Sequence, residues 1–227
     1  MEANENLNQI REISPITYTF ERIFFYLQYV SIANLMFKTR TDIHNENINT
    51  SEEEFKNATK KRGRKIDYYV ICCLLVEFTA VITVGLFCNI FDKIIIVICV
   101  YRVVDIFQST INMNIFDHLR VSRKLHQTAN TIRSLILSIL NYIEIAFCFS
   151  IVYFINRDLL YGYSDKLSAI YFSIITQLTI GYGELHPLGY LRYIVVIHSI
   201  FGFLFAILIL ARLISFVPSV TSVFDKK

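Results

Sequence analysis

The chain contains apolar runs longer than any water-soluble core requires. Tyr68 to Phe87 is twenty residues with one charged member, Glu77. At ~1.5 Å per helical residue the run reaches ~30 Å, the thickness of a hydrocarbon core. Leu135–Ile155 repeats the pattern around Glu144, and Ile194–Ala211 repeats it with no charged residue. A fourth run, Ile94–Phe107, is interrupted by Arg102 and Asp105 and has to extend to about Ile111 to cross a bilayer. In lipid every backbone N–H and C=O must be bonded within the protein, so these runs predict helices. The composition agrees, because 54% apolar against 18% charged residues is more apolar surface than one soluble core can hide. It also excludes disorder and a collagen-like chain, since apolar content is high and there are only 7 Gly. Five cysteines, an odd number, argue against a disulfide scaffold.

Charge is concentrated at one end. Residues 1–66 hold ten Lys/Arg and nine Asp/Glu, including the run Glu52–Glu54 and the basic cluster Lys60–Lys65. The expected organisation is a polar amino-terminal segment over 1–66, a two-helix membrane unit with its linker over 67–133, and a second membrane unit over 134–227. With four spans both termini share a side. Twelve Lys/Arg flank the spans on one side and four on the other, which predicts cytoplasmic termini in a multi-pass membrane protein, with the plasma membrane as the prior. Within the polar segment an interfacial helix is expected near 16–37. There Ile23–Phe37 is apolar except for Gln28, Ser31 and Asn34, which are three apart and fall on one narrow stripe. Its ~22 Å is too short to span.

The connection between the last two runs, Asn156 to Tyr193, carries the chemistry. Leu167–Leu178 is largely apolar yet only twelve residues, a helix of ~18 Å that enters a bilayer without crossing it. Thr179-Ile-Gly-Tyr-Gly183 follows, then Glu184-Leu-His-Pro187. Non-helical backbone at membrane depth survives only where it is buried in protein or lines water, so a re-entrant helix leading into a water-lined turn is predicted. Glycine takes backbone angles that other residues avoid, and alternating such positions with ordinary ones turns successive carbonyls of an extended strand to one side. Four such strands around an axis make stacked carbonyl rings that replace the water shell of a dehydrated cation, with the Thr179 hydroxyl adding a further ring. The carboxyl end of the short helix, Thr176 to Leu178, turns its partial negative charge inward and favours a cation there.

In these residues the chain resembles the potassium channel superfamily. The resemblance covers about residues 134–217. It comprises an outer helix, a pore helix, the filter string Thr179–Gly183, an acidic residue directly after it, Pro187, and an inner helix with Gly202 near the usual hinge position. It implies an all-helical membrane protein with four transmembrane helices, a re-entrant pore helix and a selectivity filter, assembled as a homotetramer that conducts potassium passively. By the same resemblance Thr179, Ile180, Gly181, Tyr182 and Gly183 form the filter and hold K+ through their backbone carbonyls. Tyr171, Phe172 and Thr176 support it from the pore helix, Glu184 sits at the outer mouth, and Gly202 is the gating hinge. The family commonly has a threonine where this chain has Leu178 and an aspartate where it has Glu184, so altered inactivation is expected before altered selectivity. Upstream, His126–Arg133 and Phe149–Phe154 resemble the linker and outer helix of voltage-gated-type channels, which makes the first two spans the counterpart of the last two sensor helices. Arg102 is the single basic residue where such a sensor has one at every third position. One charge moved through the field is worth ~2.3 kcal/mol per 100 mV, so no strong voltage dependence is expected.

Charged residues at membrane depth need partners. Glu77 and Arg102 lie midway along adjacent antiparallel runs and are expected to form an intramembrane ion pair, with Asp105 one turn along sharing it. Glu144 is expected to bond across a helix interface, and His198 to be neutral and hydrogen-bonded rather than a pH gate. The cysteines lack metal-ligand spacing, and no phosphate loop, nucleophile–base set or metal motif supports an enzyme. No cofactor is expected beyond K+ as the permeant ion. Expected partners are further copies of the chain, the bilayer and an unknown cytoplasmic regulator of the amino-terminal segment. The net charge of +3 speaks against nucleic acid. Two other readings stay open: a weakly selective cation channel, and a non-conducting membrane adaptor or regulatory subunit working through residues 1–66.

Overall fold

The computed structural model describes residues 14–27, 29, 31, 52–86, 89–112, 115 and 131–214. Its helices are α1 (Pro15–Leu27), α2 (Glu52–Thr83), α3 (Asn89–Ile111), α4 (Thr131–Ile155), α5 (Lys166–Gln177) and α6 (Leu191–Ile214). Two short strands, β1 (Leu160–Tyr161) and β2 (His186–Pro187), bracket α5. Among the described residues three stretches are long and apolar enough to cross a membrane: Gly63–Thr83 within α2, Ile132–Ile155 within α4, and the whole of α6. α3 is not among them. It is 23 residues long, but Asp92, Lys93, Arg102 and Asp105 interrupt its apolar sequence.

The amino-terminal boundaries differ from expectation in two places. α2 starts at Glu52, so the Lys60–Lys65 cluster rides on the same helix as the first apolar run, and the division at residue 66 falls inside that helix. α1 starts at Pro15, before the apolar stripe. Ser14 Oγ accepts the Thr17 amide at 3.4 Å, and Pro15 occupies the first turn, where its missing N–H is not needed. Of the polar stripe, Ser31 is buried, while Gln28 and Asn34 lie outside the described residues. α1 packs on the end of α3, where Asn112 Nδ2 donates to the Phe24 carbonyl at 3.1 Å. Most of His126–Arg133, together with Phe87, Cys88 and Phe216, also lies outside the described residues.

α4 is the hub, packing against α2, α3, α5 and α6. Half of its apolar stretch is buried, against 11% in α2 and 17% in α6. Ile145, Cys148, Ile151 and Tyr153 form the centre of the core with Phe172 and Ile175 of α5 and Phe205 of α6. Large apolar side chains remain exposed around this core, among them Leu75 and Phe78 on α2, Val97 on α3, and Val196 and Phe203 on α6. An ordinary soluble protein does not leave helices so uncovered; a multi-pass membrane protein turns such faces to lipid or to other subunits.

Candidate functional site

α5 is fixed at its start by a reciprocal cap. Asp165 Oδ1 accepts the Ser168 amide at 2.9 Å, and the Ser168 hydroxyl answers the Asp165 amide. Those bonds to Ser168 hold the Asp165 carboxyl below the usual carboxylate range. Lys166 Nζ donates to the Ile82 carbonyl at 2.8 Å, so the start of α5 also closes the end of α2. Ala169, Phe172, Ser173 and Thr176 recur at helical spacing and are buried with Ile175 and Gln177. The Ser173 hydroxyl donates to the Ala146 carbonyl at 2.7 Å, and Phe172 meets the Tyr153 ring edge-on at 4.9 Å. The helix therefore presents its other face away from α4.

After Gln177 the chain leaves helix in an ordered way. The Thr179 amide donates to the Thr176 carbonyl at 3.1 Å and the Ile180 amide to the Ile175 carbonyl at 2.8 Å, so the next segment hangs from α5 by backbone bonds. Positive φ then occurs at every second residue, Thr179 at 57°, Gly181 at 59° and Gly183 at 85°. Glycine accepts this region readily, whereas a β-branched threonine does not, and such an outlier persists only where its surroundings impose it. A Cβ added at Gly181 or Gly183 would meet nothing within 4 Å. Ile180 and Tyr182 are 47% and 70% exposed. One chain thus leaves open a strand whose backbone alternates between two conformations.

Beyond Gly183 the chain is fastened again. The Tyr171 hydroxyl donates to Glu184 Oε1 across the top of the strand, and this bond to a carboxylate pushes the phenol up to about 12. β1 and β2 pair antiparallel, with Leu160 opposite Pro187 and Tyr161 opposite His186. Gly162, at φ 80°, is needed there because a Cβ would come 2.6 Å from the Glu184 carbonyl oxygen.

The residues proposed from sequence fall into three places. Thr179 to Gly183 form the open strand; Thr176 is bonded at its inner end, Tyr171 and Glu184 are bonded to each other at its outer end, and Phe172 packs instead on Tyr153 of α4. Gly202 lies elsewhere than in a free helix span: it is buried, and a Cβ there would come 2.9 Å from the Gln177 carbonyl oxygen, so its small size permits α6 to touch the end of α5. The third place lies between α2, α3 and α4. Arg102 Nη2 donates to Glu144 Oε2 at 2.6 Å and Nη1 to Asp105 Oδ2 at 3.0 Å, while Nε stands 3.7 Å from Glu77 Oε1. The guanidinium also lies over the Tyr69 ring at 5.1 Å.

Sequence reasoning had no account of Gln177 and Tyr142. Gln177 Nε2 donates to the Tyr142 carbonyl at 2.7 Å, and Tyr142 Oη donates to the Gln177 carbonyl at 3.1 Å. The readable signal was an amide placed among apolar residues directly before the Thr179 string. Among the described residues no group of three or more His, Cys, Asp or Glu side chains is placed to hold a metal ion.

Residues 141–218 match the family model described as an ion channel, from within α4 to beyond α6. The match covers about a third of the chain and supports an ion channel domain in this part of the sequence. An ion channel domain points to transport through a membrane rather than to catalysis. Neither the curated proteins nor the solved structures provide a significant match to the chain.

Proposed function

We propose that the chain is the subunit of a homotetrameric, potassium-selective channel with Thr179–Gly183 as its selectivity filter. The observation that carries this reading is the alternation of positive φ at Thr179, Gly181 and Gly183 in a strand where a Cβ built on either filter glycine would meet nothing within 4 Å. Alternating backbone of this kind aims successive carbonyls to one side, where a dehydrated cation accepts them as ligands. One strand offers a quarter of each ring, so fourfold symmetry completes the site, and the exposed Ile180 and Tyr182 are then surfaces awaiting neighbouring subunits. α5 is the re-entrant pore helix, its carboxyl end directed at the path, with potassium as the substrate that passes. Thr176 contributes through its backbone carbonyl, and Tyr171 with Glu184 holds the outer mouth.

In this reading α2, α3, α4 and α6 all cross the bilayer, with both termini on the cytoplasmic side of the plasma membrane. α3 crosses despite its charges because Arg102 is matched by Glu144 and Asp105 inside the protein. The lower end of α6, around Leu210 and Leu213, closes the path by constriction. The polar amino-terminal segment is where a cytoplasmic regulator would act. Arg102 is one charge, held by partners on two helices besides its own, so conductance varies little with voltage.

The test is potassium flux from liposomes holding the purified protein, run beside Gly181→Ala with sodium as the competing ion. Potassium-selective flux abolished by the substitution is expected. Equal passage of sodium would favour the weakly selective alternative, and no flux from an intact tetramer with residues 1–66 removed would favour the adaptor.

A further inference from the structure

Three helices meet at one buried amide. Gln177, 3% exposed, is the last residue of α5 and stands two positions before Thr179. Its Oε1 lies 3.1 Å from His198 Nε2 on α6, and its Nε2 and its own carbonyl are both bonded to Tyr142 on α4. His198 is fully buried, its ring stacked on Phe149 at 3.9 Å, with Nδ1 at 2.9 Å from the Tyr153 hydroxyl.

The bonds admit one assignment of protons. Gln177 Nε2 faces a carbonyl and must donate, which leaves Oε1, an acceptor, toward His198. His198 Nε2 therefore carries the hydrogen, and Nδ1 of the neutral ring accepts from the Tyr153 hydroxyl. The relay runs Tyr153 to His198 to Gln177 to Tyr142 and returns through the Tyr142 hydroxyl to the Gln177 backbone. Gly202, one turn below His198, presses α6 against that same Gln177 carbonyl. Any displacement of α6 is thus delivered to Gln177, the neighbour of Thr176, whose carbonyl holds the Thr179 amide.

We infer that His198 and Gln177 are positioning residues through which the inner helix sets the inner end of the selectivity filter. The inference rests on the filter reading given above. Its mechanism is short-range: rotation or tilt of α6 lengthens the His198–Gln177 bond, Gln177 turns, and Thr179, already held in an unfavourable backbone conformation, loses its imposed angle. Opening at the inner helix and conduction at the filter are then one coupled event rather than two independent gates.

The experiment compares the full chain with His198→Leu and His198→Gln in liposomes, reading the potassium-to-sodium permeability ratio and open probability of variants shown to be tetrameric. Glutamine can still donate to Gln177 Oε1, so His198→Gln should keep the ratio close to that of the unsubstituted chain. His198→Leu leaves the Gln177 oxygen and the Tyr153 hydroxyl unmet and should lower the ratio about tenfold or more, within the range that buried polar groups left unpaired can cost. Adding Tyr153→Phe to His198→Leu should cost little further, because the Tyr153 hydroxyl joins the relay through His198. A tetrameric His198→Leu channel with unchanged ratio and opening would overturn the inference, as would losses that simply add. If His198→Leu fails to assemble, Tyr142→Phe, which deletes one hydroxyl from the relay, must lower the ratio in the same sense, and an unchanged ratio there overturns it too. An unsubstituted chain that conducts without preferring potassium would instead refute the filter reading itself.

Discussion

Around His198 every buried hydrogen-bonding group of the relay meets a neutral partner of the complementary kind, whereas around Arg102 one cation faces three carboxylates. The two clusters sit at opposite flanks of α4 and do different work. A neutral, fully matched relay carries little desolvation penalty and fixes atoms closely, which suits a support for ion ligands. In a charged cluster desolvation offsets much of the attraction, and removing the guanidinium leaves the carboxyls bonded to it uncompensated. The part of the chain that positions the strand is also the part that matches the ion channel family, at residues 141–218.

Substitutions can break this contrast, and their effects should fall in a definite order. Gly181→Ala is the most severe. The methyl meets nothing within 4 Å beyond its chain neighbours, so the loss arises from φ at 59°, which disfavours alanine by about 1–2 kcal/mol in each strand of the proposed tetramer. Potassium flux should vanish while the tetramer persists; wild-type flux would mean the glycine is dispensable. Arg102→Met comes next, lowering stability in detergent by about 3–5 kcal/mol because Glu144 and Asp105 lose their buried cation. Glu77→Gln should change little by comparison, since Glu77 stands 3.7 Å from the guanidinium, beyond hydrogen-bond reach. Equal effects from these two would show that the cluster is not organised around Glu144.

Tyr171→Phe should be milder, shortening the conducting lifetime by releasing Glu184 without preventing assembly. An unfolded tyrosine ionises near pH ~10 and Tyr171 at about 12, so its bond is fully present below the first value and is lost as pH rises through the second. Channel lifetime measured across that interval should fall in the native protein and stay level in Tyr171→Phe. The smallest effect belongs to Arg133→Ala. The Asp67–Arg133 pair, at 2.7 Å, has both side chains 36% exposed, and its loss should change thermal stability by no more than about 1 kcal/mol, less at high salt.

Much of the frame was legible because it follows from length and periodicity. Leu167–Leu178 was expected as a short helix and α5 spans Lys166–Gln177; the last two apolar runs lie within α4 and α6. The positive-φ alternation was readable from Gly181 and Gly183 alone, while Thr179 joining it was not, since nothing local favours that angle in threonine. Partners across helices were harder. Glu144 and Arg102 are 42 residues apart, and His198 and Gln177 are 21 apart, so periodicity on either helix says that a partner is needed and not which one. The start of α2 was missed for a different reason. Residues 52–66 are charged, and a helix lacking an apolar stripe gives no signal of period 3.6.

The central claim is that Thr179–Gly183 selects potassium, and a bi-ionic reversal potential tests it most directly. With potassium on one side of a bilayer containing the reconstituted tetramer and sodium on the other, current should reverse far from zero, toward the potential that only potassium permeation would set. Reversal near zero, with current that Gly181→Ala leaves unchanged, would contradict the account.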